Sequence, residues 1–223
     1  STASGNSKQS GLNVAKCVSA ICIGASQQQK EEVISRFSAD MQVLPPTSQT
    51  NLALLCIGEI GRHTDLSVLS NAPLDTAIMK FFNSKSSDTQ VAAAFAIGSL
   101  AVGNVERYLP VLLEALQSSD QKYLPLAAMR ELIGSYTNSN HQKNNNGSSS
   151  LLLLTSFLPK IMAAVQPCAI SEEAQIRNAA AECVGLLTYI ETETMLPYLD
   201  ELFQITSMYA RWTVADAMKL IFS

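Results

Sequence analysis

Small and apolar residues recur along this chain in a fixed order. The phrase Leu54-Leu55-Cys56-Ile57-Gly58-Glu59-Ile60 returns as Ala94-Phe95-Ala96-Ile97-Gly98-Ser99-Leu100, and again as Ala181-Glu182-Cys183-Val184-Gly185-Leu186-Leu187. A weaker copy occupies 14–21, and two more keep the same register around Arg130 and Lys219. With Ser19, Gly58, Gly98, Arg130, Gly185 and Lys219 as equivalent anchors, the copies lie about 32 to 40 residues apart, with one interval of about 55. A recurrence of that size predicts one supersecondary unit per period, stacked on its neighbours.

Apolar residues stand five before, one before and two after each anchor, which places them on one helical face. Gly inside a helix costs roughly 1 kcal/mol relative to Ala. Gly58, Gly98 and Gly185 are therefore expected where a neighbouring helix approaches closely. Each such helix has a partner upstream, at 30–41, 74–82, 108–116, 157–162 and 195–203. Three partners carry a Leu-Pro step (Leu109-Pro110, Leu158-Pro159, Leu196-Pro197), read as proline in a first helical turn. Alternating outer and inner helices predict an all-α fold, a right-handed α-solenoid of HEAT-type helical hairpins. Residues 8–223 would form about five to six repeats, elongated rather than globular.

Charged residues make up only 15% of the chain, against about a quarter in an average soluble domain. Helices sandwiched between repeats account for that deficit. The net charge of −4 lacks the basic stripe nucleic acid demands. The longest uncharged apolar stretch, 91–103, is too short to span a bilayer. Residues 1–7 read as a disordered tail or expression scar. The absent initiator Met and an end inside a helical pattern are expected of a piece of a longer array. Cys17, Cys22, Cys56, Cys168 and Cys183 lack metal-ligand spacing and are expected as reduced thiols in an intracellular, cytoplasmic or nuclear, protein.

A polar segment, 138–150, interrupts the rhythm and is expected as a disordered insertion. Its Asn146-Gly147-Ser148 matches a glycosylation acceptor by chance, and His141 is a solvated histidine. No phosphate-binding, dinucleotide or nucleophile-elbow motif occurs, and no carboxylate or Cys cluster joins His63. Glu31-Glu32 and Glu172-Glu173 answer helix dipoles better than they serve acid–base chemistry. The chain is expected to have no catalytic residues, no cofactor, no metal and no small-molecule substrate.

The polar words set within the apolar frame are more specific. Leu54-Leu55-Cys56-Ile57-Gly58-Glu59-Ile60-Gly61-Arg62-His63-Thr64-Asp65-Leu66-Ser67, Ala96-Ile97-Gly98-Ser99-Leu100-Ala101-Val102-Gly103-Asn104 and Asn178-Ala179-Ala180-Ala181-Glu182-Cys183-Val184-Gly185-Leu186-Leu187-Thr188 resemble the cullin-associated, neddylation-dissociated (CAND, or TBP-interacting) family. Ser207-Met208-Tyr209-Ala210-Arg211 extends the likeness, which covers roughly 7–223. The resemblance implies a segment of the C-terminal half of a long HEAT solenoid. Such solenoids wrap unmodified cullin–RING ubiquitin ligase scaffolds and promote exchange of substrate-receptor adaptors. A generic HEAT scaffold of the transport-receptor or coat type is the alternative.

The HEAT pattern favours an Arg eight residues before the anchor. Arg177 and Arg211 fit and are expected to be structural; Lys122 approximates the pattern, while Thr50 and Gln90 depart from it and imply weaker polar coupling between the early repeats. Trp212 is expected to face a following repeat. Polar residues on or just after inner helices are the candidate contacts with a cullin scaffold: Glu59, Arg62, His63, Arg130, Glu131 and Lys219.

Overall fold

A computed structural model describes residues 2–68, 73–118, 121–140 and 153–222, the side chains of 2–8 and 138–140 apart. The described residues are helical with short turns. Helices α1 (Thr2–Ile23), α2 (Gln27–Met41), α3 (Ser48–His63), α4 (Leu74–Met79) and α5 (Ser87–Gly103) come first. Then follow α6 (Val105–Ser118), α7 (Tyr123–Asn140), α8 (Leu158–Ala169), α9 (Ala174–Ile190), α10 (Thr192–Gln204) and α11 (Met208–Ile221). Short 3₁₀ turns occupy Leu66–Val68 and Lys80–Asn83, the second prolonging α4.

The chain divides into two compact units, Ser1–Tyr108 and Leu109–Ser223, the boundary falling inside α6. In the first, the anchor-bearing helices stack in the order α1, α3, α5, with α2 and α4 beside them. In the second, α7, α9 and α11 stack in the same way, flanked by α8 and α10. Each unit is thus a layer of anchor helices beside a layer of partner helices, the ARM/HEAT-like arrangement the recurrence predicts.

Local chemistry sets the helix ends. Ser26 with Gln29 and Thr47 with Thr50 form reciprocal caps at the starts of α2 and α3. Ser86 accepts from the Thr89 amide at the start of α5. Pro159 sits in the first turn of α8, as its missing N–H favours. Pro110 and Pro197 differ from expectation: α6 and α10 begin upstream and carry these prolines inside. Both rings are exposed, so each removes one helical hydrogen bond on the solvent side and leaves the packed face intact.

The backbone at 2–7, expected as a tail, continues α1. No proline interrupts the run from there into the apolar turn at 14–22. The insertion expected at 138–150 overlaps the end of α7 through Asn140; its remainder, with His141 and the Asn146-Gly147-Ser148 acceptor, lies outside the described residues. No helix among the described residues is long and apolar enough to cross a membrane.

Candidate functional site

The small residues decide how closely the anchor helices approach. A Cβ at Gly58 would stand 2.9 Å from the Ala96 Cα and 3.2 Å from the Phe95 ring, across the α3–α5 contact. At Gly185 it would stand 3.0 Å from the Ala217 carbonyl oxygen, across α9–α11. Gly98 is buried in α5. The tightest approach involves two glycines that the recurrence does not single out: a Cβ at Gly103 would collide with the carbonyl oxygen of Gly61. Both follow the anchor, near the ends of α3 and α5, where no apolar stripe draws the eye.

Position eight before the anchor ties the chain ahead of its helix at Arg177, Lys122 and Gln90. Arg177 is buried, and its Nη1 donates to the carbonyls of Ser171 (2.8 Å) and Glu172 (3.2 Å) in the turn ahead of α9. Its guanidinium lies 4.8 Å from the Tyr209 ring centroid and 5.2 Å from that of Trp212, both on α11. Trp212 thus packs back on the preceding repeat, and keeps 51% of its surface exposed. At the corresponding places Lys122 donates to the Leu116 carbonyl (2.8 Å), and Gln90 donates to those of Phe82 (3.1 Å) and Ser84 (2.9 Å). Within its own hairpin the Gln90 amide reaches two carbonyls, as the Arg177 guanidinium does. Thr50 serves its own helix start. Arg211, exposed, lies over Phe203 of its partner helix at 5.8 Å.

The six candidate contact residues separate into two groups. Glu59 is 4% exposed, and its carboxylate lies 3.6 Å from Arg62. Arg62 donates to Ser99 Oγ on α5 (2.8 Å) and covers the Phe95 ring at 5.6 Å. Both are candidates by sequence to face a partner; Arg62 instead ties α3 to α5, and Glu59 lies beside it one turn back on the same helix. His63 is exposed at the end of α3. Among the described residues no cluster of His, Cys, Asp and Glu could hold a metal ion.

In the second unit the polar positions form a row across three stacked helices. Arg130 on α7 donates to Glu182 on α9 at 2.6 Å, with both side chains about 40% exposed or slightly more. Burial alone would lower the Arg130 pKa, but the hydrogen bond and charge of Glu182 outweigh it and raise it. Beyond Glu182 an open groove of about 370 Å³ separates α9 from α11, lined by Asn178, Glu182, Asp216, Lys219 and Leu220. Lys219 is paired to Asp216 at 2.7 Å, one turn away, and keeps 77% of its side chain exposed. Glu131 neighbours Arg130 in sequence and is half-buried. Glu182 and Asp216 complete the row, and both stand three residues before an anchor. That register was readable in the sequence, but a stripe search follows apolar positions and passes over them.

The chain is 32% identical over 220 residues to cullin-associated NEDD8-dissociated protein 1 of Arabidopsis thaliana, and 33% identical over 214 residues to that of Drosophila melanogaster. These matches take in 95% and 92% of this chain. This chain is homologous to the CAND proteins. A relative from Emericella nidulans, described as the C-terminal part of the same protein, matches at 29% over 188 residues. The chain spans 17% and 16% of the Arabidopsis and Drosophila CAND relatives. No family model matches. Among solved structures, a designed armadillo repeat protein aligns with 94% of this chain and 92% of its own at a TM-score of 0.44 and 13% identity.

Proposed function

We propose that this chain is a non-enzymatic HEAT-repeat segment through which a CAND protein binds cullin–RING ubiquitin ligase scaffolds lacking the ubiquitin-like modifier, and so promotes exchange of substrate-receptor adaptors. The observation that carries the reading is the near-complete match of this chain to cullin-associated proteins in two kingdoms. The row Arg130–Glu182–Asp216–Lys219 supports it physically. It offers both charge signs across three helices, on side chains that remain partly exposed while paired. A stacked-repeat surface binds through many modest contacts. Glu131 stands next to Arg130 in that row, and His63 is a separate exposed candidate in the first unit, where Arg62 serves the stack. With that role goes residence in the cytoplasm and nucleus, and a protein partner in place of a cofactor, membrane or nucleic acid.

The test places Arg130→Glu and Lys219→Glu, singly and together, in the full-length protein that carries this chain. Retention of a purified cullin–RING scaffold should fall partially for each and strongly for the pair. Undiminished retention by a folded double variant would remove the row from the contact surface.

A further inference from the structure

A concavity of the first unit lies on its partner-helix side. It holds about 600 Å³ between the turn at 42–47 and the segment at 80–86. Its origin is local. Helix α4 is only six residues long and tightens into a 3₁₀ turn, so it does not fill the space beside the end of α2. The floor is apolar, with Met41 and Phe81 buried, and Pro46, half-buried, lines it too. Leu44 stands at the edge, 78% exposed.

The charge of this groove runs against that of the chain. Net charge is −4 overall, yet no Asp or Glu lines the groove, and its two charged residues are Lys80 and Lys85. Both are exposed, and neither is paired with an acid among the described residues. An apolar cleft rimmed by unpaired ammonium groups favours an occupant with an apolar side chain and carboxylates beside it. We infer that this groove is a docking site for a short acidic segment of a protein partner, which inserts one apolar side chain over Met41 and Phe81 and sets its carboxylates against Lys80 and Lys85. A concave cleft that receives one side chain suits a peptide better than a flat lipid surface.

The test measures fluorescence anisotropy of labelled short peptides with the full chain. Each peptide carries a central Leu, Met or Phe flanked by Asp/Glu, by Gly/Ser, or by Lys/Arg. Acid-flanked peptides should bind, neutral ones more weakly and basic ones not at all. The Lys80→Glu/Lys85→Glu double variant should lose on the order of tenfold in affinity for the acid-flanked set, and Leu44→Ser should weaken every apolar peptide. All three positions are exposed, so circular dichroism of the variants should match the parent. Absence of binding in every class, equal binding of acidic and basic flanks, or indifference to the double variant would overturn the proposal. Binding to phosphatidylserine-containing vesicles without binding to any peptide would overturn it too, and would assign the groove to lipid.

Discussion

Gly58 and Ala96 bring the backbones of α3 and α5 so close that a Cβ on Gly58 would lie 2.9 Å from the Ala96 Cα. Helix propensity alone would favour Ala over Gly there by roughly 1 kcal/mol. Overpacking costs about 1–3 kcal/mol, so the contact decides the sign. Gly58→Leu and Gly103→Ala should both lower the denaturation midpoint. Gly134 offers the contrast, since a Cβ there would meet only the Leu186 side chain, at 3.8 Å. Gly134→Ala should therefore raise stability by up to about 1 kcal/mol. Equal responses at Gly58 and Gly134 would contradict the close approach.

Arg177 joins a turn to the next repeat through two carbonyls and two aromatic faces. Removing it leaves those carbonyls without their charged donor and the rings uncovered, at a cost of about 2–4 kcal/mol. Lysine cannot reproduce a planar fork that stacks and donates together. Arg177→Lys should recover only part of the loss. Emission of Trp212, the single tryptophan, should move to longer wavelength in Arg177→Ala while the helices remain. An unchanged emission would mean that the stack does not persist in solution.

Alkaline pH should destabilise the chain in a defined window. Burial raises the Cys56 and Cys183 thiols to about 12, and does the same for the Tyr108 and Tyr198 phenols. Unfolded thiols and phenols release their protons first, so these groups stabilise the fold fully below about pH 8.5. That contribution declines as pH rises towards 12. Urea midpoints should be level at neutral pH and fall above about pH 9. At neutral pH a thiol reagent should label the exposed Cys17 readily and the other four cysteines, which are buried, only after unfolding.

Tyr198 gives a change that should not harm the protein. Its hydroxyl is buried with no hydrogen-bond partner among the described residues, and an unsatisfied buried polar group costs about 1–3 kcal/mol. Tyr198→Phe should leave Tm level or raised. A clear fall would reveal a partner for the hydroxyl.

The helix layers, the anchor register and the tie at Arg177 were legible in the sequence because each depends on a residue type recurring at a fixed offset. Gln90 departs from the arginine of the pattern, which predicts weaker coupling between repeats. The structure compares them by reach, and both meet two carbonyls. Glu59 and Arg62 are expected to face a partner as polar residues on an inner helix. In the structure Glu59 is buried and Arg62 donates to Ser99 on α5, which gives both to the stack. The groove over Met41 and Phe81 left no sequence signal, since it arises from what a short α4 fails to cover.

The proposed partner of the protein carrying this chain is a cullin–RING scaffold that lacks its covalent ubiquitin-like modifier. The direct measurement compares retention of one purified scaffold, with and without the modifier, by the full-length protein. The unmodified form should be held and the modified form released. Equal retention of both, or retention of neither, would contradict the claim and leave a helical-repeat scaffold with another partner.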